Sequence, residues 1–239
     1  MARKEAHIQV VLRALAEHDG WFAPEGWAKH VSGGRDLPRT CRWGEKPRNC
    51  PSKPVILFSD ATRGPIFQRT DADPGVYAGP LPGHALFSTV HDGLGGISIN
   101  PGGPPDEGMT FDAAAFPTVW MWAQAVALEK AIAADAKDLH VRLKAFDNWG
   151  LMLDGEEDLA IGPKRDGLEK PGMIFTAPDA LRLAQEKLPT PSFTPTTMGG
   201  AELFGRIESF DIDGLIINPF GPGPTLTLPM QRCATVADQ

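Results

Sequence analysis

The sequence predicts an α/β fold with a mixed, α+β-like sheet, arranged as two tandem pseudo-symmetric repeats linked by a buried helix. Three observations carry this prediction. The chain matches itself at a constant offset, apolar runs of strand length alternate with helical periodicity, and Gly and Pro punctuate both at corresponding places. Lys53-Pro54-Val55-Ile56-Leu57-Phe58-Ser59 matches Lys170-Pro171-Gly172-Met173-Ile174-Phe175-Thr176 at an offset of 117. The same offset carries Gly83, Leu86 and Phe87 onto Gly200, Leu203 and Phe204. One inserted residue raises it to 118, so that Gly96-Ile97-Ser98-Ile99-Asn100-Pro101 meets Gly214-Leu215-Ile216-Ile217-Asn218-Pro219, and Gly103-Pro104 meets Gly221-Pro222. Blocks of identity joined by one insertion read as a tandem duplication.

The elements follow in order. Ile8, Val11, Leu12 and Leu15 share one face of a predicted N-terminal helix, which His18-Asp19-Gly20 ends with Gly at the C′ position. Residues 32–52 are rich in Gly, Pro and Arg without periodicity and read as a long loop. The Phe58 and Phe175 blocks are short apolar runs, expected as buried strands. Ala177 to Ala184 then reads as a helix with Pro178 in its first turn, whereas Gly64 and Pro65 shorten or distort its first-copy counterpart. A second strand is predicted at 75–79 and 192–196. Leu86, Phe87 and Val90, like Leu203, Phe204 and Ile207, predict helices over 83–92 and 200–210. Strands at 96–99 and 214–217 run into Asn-Pro turns, and short strands at 109–111 and 225–228 close each copy. Thr118 to Lys137 is apolar around its whole circumference, which predicts a buried helix between the repeats. Trp149–Leu153 and Leu159–Ile161 flank Asp154–Asp158 and read as a hairpin that the first copy lacks. The boundaries that result are 1–30 for an N-terminal helix and arm, 31–116 for the first repeat, 117–137 for the linking helix and 138–239 for the second repeat.

The balance of 23 basic against 30 acidic side chains, net −7, argues against a nucleic-acid partner, whose binding surface would be basic. The longest apolar run, Val119 to Leu128, is interrupted by Gln124 and is too short to span a membrane. Three cysteines are too few for a disulfide scaffold. The N-terminal segment reads as a mature amphipathic helix rather than a signal, so a cytoplasmic protein is expected.

The block Gly200-Ala201-Glu202-Leu203-Phe204, with Asp213-Gly214-Leu215-Ile216-Ile217-Asn218-Pro219-Phe220-Gly221-Pro222, resembles the N-terminal domain of the SseB family, the bacterial enhanced serine sensitivity proteins. Met173-Ile174-Phe175-Thr176-Ala177-Pro178-Asp179-Ala180-Leu181 is similar to that family's phenylalanine-threonine strand and following helix. The second copy, about 149–229, is the closer match. The first, about 53–116, departs at its first helix and has Gly95 where the second has Asp213. The resemblance implies a small α/β domain and transfers no catalytic residues.

Asn100 with Gly103, and Asn218 with Gly221, are the candidate binding residues, because strand-end loops often form binding surfaces. The competing reading is that Asn bonds its own turn while Gly and Pro set its geometry, and that structural reading weighs more. His30, Cys41 and Cys50 match no zinc spacing. His84, His91 and Asp92 share a predicted helix but lack a nucleophile in a suitable setting. Asp154–Asp158 lacks the alternating spacing of a calcium loop. Neither Gly93-Leu94-Gly95-Gly96 nor Gly102-Gly103 sits in a strand–turn–helix context for phosphate. Arg35, Arg39, Arg42, Lys46 and Arg48 form a basic stretch able to dock an acidic partner or simply to face solvent. The sequence therefore assigns no catalytic residue, metal or cofactor. It points to a non-enzymatic binding, regulatory or adaptor module, with a protein partner possible. The alternative is an enzyme for a small polar substrate in a cleft between the repeats, using His84, His91 or the Asn loops.

Overall fold

The computed structural model describes residues 2–24, 54–62, 77–90, 95–101, 108–154, 157–188 and 193–238. These divide into two compact units, Met1–Gln124 and Ala125–Gln239. The fold mixes α-helices with parallel and antiparallel strands.

The N-terminal unit begins with α1 (Ala2–Glu17), followed by β1 (Trp21–Pro24), β2 (Pro54–Leu57), β3 (Tyr77–Leu81), α2 (Gly83–Phe87), β4 (Gly96–Ile99) and β5 (Met109–Asp112). β2 runs parallel to β4, and β4 antiparallel to β5. β1 runs antiparallel to β3, with an irregularity between Trp21 and Ala23. Phe22 and Phe58 exchange backbone hydrogen bonds of 2.8 and 3.0 Å, which link β1 to the end of β2. Along that bridge the strands follow the order β5-β4-β2-β1-β3.

After α3 (Phe116–Ala133), the C-terminal unit continues through α4 (Leu139–Ala145), β6 (Trp149–Leu153), β7 (Pro171–Phe175), α5 (Pro178–Lys187), β8 (Thr194–Met198), α6 (Gly200–Gly205), β9 (Gly214–Ile217), β10 (Leu226–Pro229) and α7 (Met230–Ala237). Its five-stranded sheet has the order β10-β9-β7-β6-β8. β7 and β9 are parallel and the other neighbours antiparallel. Strand order and sense agree with the N-terminal unit, and so does register in every pair except β1–β3, whose shift after Trp21 has no counterpart in the regular β6–β8 pair. Pro54 faces Gly96 as Pro171 faces Gly214, and Trp21 faces Leu81 as Trp149 faces Met198.

The same local packing closes each unit. The Trp21 indole donates to the carbonyl of Leu15 at 3.0 Å, and Trp149 to that of Leu143 at 3.2 Å. Each indole meets a T-shaped ring six to seven ångströms or less away: His18 at 4.9 Å and Phe87 at 5.6 Å for Trp21, Phe146 at 5.0 Å and Phe204 at 6.4 Å for Trp149. These edge-to-face contacts suit the ring quadrupole. The amide of Gly83 bonds the carbonyl of His18, and that of Gly200 the carbonyl of Phe146, both at 2.7 Å. A Cβ on Gly83 would lie 2.2 Å from the Leu15 oxygen, and one on Gly200 2.3 Å from the Leu143 oxygen, so only glycine admits this approach.

Several sequence expectations need correction. The buried stripe of α1 passes through Leu12 and Ala16 while Ile8 stays 53 % exposed, because the C-terminal half of the helix packs on α2. β3 and β8 start two residues later than expected. The helix expected over 200–210 ends at Gly205, where Arg206 (φ −102°, ψ 2°) leaves helical geometry for a 3₁₀ turn at Ile207–Ser209. Likewise α2 stops at Phe87 instead of Asp92. The helix expected over 118–137 ends at Ala133, and α4 follows after a turn in which Asp135 adopts φ 45°. Along α3 every turn is buried, as its composition predicts, but Glu129 is buried among the apolar residues. On either side of residues 155 and 156, which lie outside the described residues, Asp154 N bonds Asp158 O at 2.9 Å and Ala160 N bonds Met152 O at 2.8 Å. However, β6 pairs chiefly with β7 and β8 rather than with 159–161, and β1 is its counterpart in the N-terminal unit. The sequence therefore differs there in the length of the following connection, not in the strand. The register offset between Trp21 and Trp149 is 128, not 117, which hides the match.

Candidate functional site

Asn100 and Asn218 occupy equivalent strand ends and do equivalent work. Each takes the left-handed backbone region, at φ 45° and 49°, which Asn tolerates better than most residues. The backbone N–H of Asn218 donates to the carbonyl of Ile174 at 3.0 Å, as that of Asn100 donates to the carbonyl of Leu57 at 2.9 Å. Asn218 Oδ1 accepts the backbone N–H of Thr176 at 3.1 Å, and its Nδ2 donates to Thr176 Oγ1 at 2.8 Å. In the N-terminal unit Ser59 replaces Thr176: its N–H donates to Asn100 Oδ1 at 3.0 Å, and Asn100 Nδ2 donates to its Oγ at 2.9 Å. Each side chain ties the end of one parallel strand to a residue just past the end of its neighbour, Ser59 beyond β2 and Thr176 beyond β7. Asn218 is fully buried and Asn100 is 6 % exposed, so both amides are spent inside the protein.

The C-terminal unit extends this brace. Thr176 Oγ1 donates onward to Glu129 Oε1 at 2.5 Å, which makes a directional chain from amide to hydroxyl to a carboxylate that is itself 5 % exposed. Gly223, at φ 101°, lies over that carboxylate, and a Cβ there would stand 2.8 Å from Glu129 Oε1. Gly221 (φ 74°) donates its N–H to the Asn218 carbonyl at 3.2 Å and precedes a cis bond to Pro222. Gly103 lies outside the described residues, as do His30, Cys41, Cys50, His91, Asp92 and the basic stretch from Arg35 to Arg48. His84 is half-buried on α2. Neither Glu129 nor Thr176 was singled out from the sequence. A charged residue inside an all-apolar helix was the available signal for the first.

A concave surface of different character lies in the C-terminal unit, where the α3–α4 turn and α4 face α7 and the end of β10. It encloses about 420 Å³. Leu139, Leu143, Leu228 and Val236 form its apolar floor, while Asp135, Lys137, His140, Arg232 and Thr235 bring polar groups to it. The floor residues are all buried. Thr235 Oγ1 is held by the carbonyl of Gln231 at 3.0 Å. None of these residues was a sequence candidate, since the two segments that meet here are some ninety residues apart and neither carries a motif. Cys233 of α7 is buried, and burial pushes its thiol up to about 12 from an ordinary 9.0. Its S–H donates to the Leu228 carbonyl at 3.4 Å, so it packs as a small apolar group instead of acting as a nucleophile.

Asp213, which stands where the N-terminal unit has Gly95, braces a loop. Burial raises its carboxyl pKa, but the backbone N–H groups of Glu169 and Lys170, donating to Oδ2 at 2.6 and 3.1 Å, outweigh that and hold it below the ordinary carboxylate range. Among the described residues no cluster of three or more His, Cys, Asp or Glu is placed to hold a metal ion, and no helix is long and apolar enough to cross a membrane. No protein-family model, curated protein or solved structure matches the chain.

Proposed function

We propose that this chain is a non-enzymatic binding or regulatory module, similar to SseB proteins, made of two copies of one α/β unit. The duplication reading is supported by identity at offsets of 117 and 118 together with a shared strand order, register, Trp lock and Asn brace. The observation that carries the binding reading is the groove of about 420 Å³ on the C-terminal unit, whose apolar floor and polar rim match the usual make-up of small-molecule sites. Its rim supplies charge and hydrogen bonds, but its one hydroxyl is held by backbone and its one imidazole has no nucleophile beside it among the lining residues. The Asn turns, committed to internal bonds, support the protein rather than present a ligand site. A cytoplasmic address belongs to the same reading, supported by a free buried thiol at Cys233.

The test is ligand-observed NMR of the full chain against mixtures of acidic, basic and neutral metabolites. Saturable binding, mapped by amide shifts to the groove and leaving each ligand chemically intact over hours, is the expected result. Conversion of any ligand into a new species would overturn the non-enzymatic reading. A protein that binds nothing at the groove would overturn the binding one.

A further inference from the structure

We infer that the groove of the C-terminal unit takes a small organic anion with an apolar body, of which a medium-chain carboxylate is the simplest example; this deepens the binding reading above and rests on it. The rim is basic although the chain as a whole carries a net charge of −7. Lys137, His140 and Arg232 stand against Asp135 as the one carboxylate among the lining residues. The neighbouring carboxylate, Asp138, is bound to Arg142 at 2.9–3.0 Å instead of facing the groove. Lys137 and Arg232 make no ion pair or hydrogen bond with any described side chain or backbone group, so both charges are available to a ligand. A guanidinium offers a planar fork that matches a carboxylate, and an ammonium adds a mobile point charge.

The floor decides the rest of the ligand. Leu139, Leu143, Leu228 and Val236 are at most 6 % exposed, and the small area they still present lies at the bottom of a concavity. An inorganic anion would leave that floor wet, whereas an aliphatic or aromatic body covers it while its headgroup reaches the rim. A cationic ligand of the same shape would meet the Lys137 and Arg232 charges against the single carboxylate of Asp135, which disfavours it. Volume fits as well: about 420 Å³ holds a molecule of small-metabolite size.

The experiment titrates the full chain with octanoate, and separately with octylamine as a shape-matched cation, following backbone amide shifts over residues 135–143 and 228–236. Octanoate is expected to give saturable shifts confined to those segments, with a Kd on the order of 1 mM or tighter, and octylamine none. Lys137→Ala/Arg232→Ala, which removes two exposed side chains and leaves circular dichroism unchanged, is expected to weaken octanoate roughly tenfold. Octylamine binding as tightly as octanoate, or an unchanged octanoate Kd in the double variant, would overturn the anion assignment while leaving the groove a binding site. Silence from both probes up to about 10 mM would overturn the anion assignment and the binding reading together.

Discussion

Replacing Asn218 tests whether the strand-end asparagines are braces. Asn218→Ala removes the acceptor for the Thr176 N–H and the donor to Thr176 Oγ1, both in a fully buried setting. One buried backbone donor left unpaired costs about 1–3 kcal/mol. Holding Ala instead of Asn at φ 49° adds about 1 kcal/mol, because the Cβ crowds the following carbonyl and the local Asn bonds that offset it are gone. The expected total is about 2–4 kcal/mol. Asn218→Gly keeps the turn accessible and loses only the bonds, so it should cost about 1 kcal/mol less than Ala. Asn100→Ala should cost less than Asn218→Ala, about 2 kcal/mol, since Ser59 is only half-buried and water can replace the lost partner. The assay is urea denaturation, with hydrogen exchange by mass spectrometry resolving peptides of β7 and β9 from those of β2 and β4. This resolution matters because two units need not unfold together. Loss of protection confined to the mutated unit is the expected pattern. An Asn218→Ala cost below about 1 kcal/mol, or a Gly variant no better than Ala, would refute the account of the turn.

Other consequences are equally direct. Gly200→Ala and Gly83→Ala must each move a backbone carbonyl by about an ångström and should lose about 3 kcal/mol or more, whereas Gly205→Ala meets nothing within 4 Å and should be neutral or slightly stabilising; thermal melts compare the three. Cys233 should resist thiol-reactive probes in the native chain at pH 8 and label on unfolding, read by mass of its peptide. The folded thiol holds its proton up to about 12 while the unfolded one loses it near 9.0, so its contribution to stability is full below 9 and is lost as pH rises toward 12. Cys233→Ala should flatten that alkaline decline. For Asp213 the sign is opposite: its folded pKa lies below the ordinary 3.8, so its stabilisation is present above that value and disappears as pH falls through the folded pKa. Asp213→Asn should therefore destabilise at pH 7 and much less in acid, a difference that paired urea titrations measure.

How much could be read in advance depended on how local the cause was. Strands β2, β4, β7 and β9 were legible because a run such as Met173-Ile174-Phe175 has no exposed face to serve, and the Asn-Pro pair behind β4 and β9 cannot continue a strand. The internal match at offsets of 117 and 118 aligns them from sequence alone. β1 was missed because its four residues precede a connection of different length in the two units, so the match jumps to 128 there; Leu15 to Trp21 and Leu143 to Trp149 carry the same six-residue spacing, but only the indole-to-carbonyl bond gives that spacing meaning. The break after Ala133 was invisible for a similar reason, since propensity alone does not exclude a helix through Ala134-Asp135-Ala136-Lys137.

The sequence by itself determined the class of fold, the alternation of elements and the Asn-Pro turns that end β4 and β9, all of which depend on residues near one another in the chain and on short-range sterics. Tertiary structure alone decided the chain of bonds from Asn218 through Thr176 to Glu129, and the groove between α4 and α7. Both bring together side chains separated by 40 to about 100 positions. Periodicity reports which face of an element is buried, but not which polar group on a distant element it will meet, because that is fixed by packing of the whole unit.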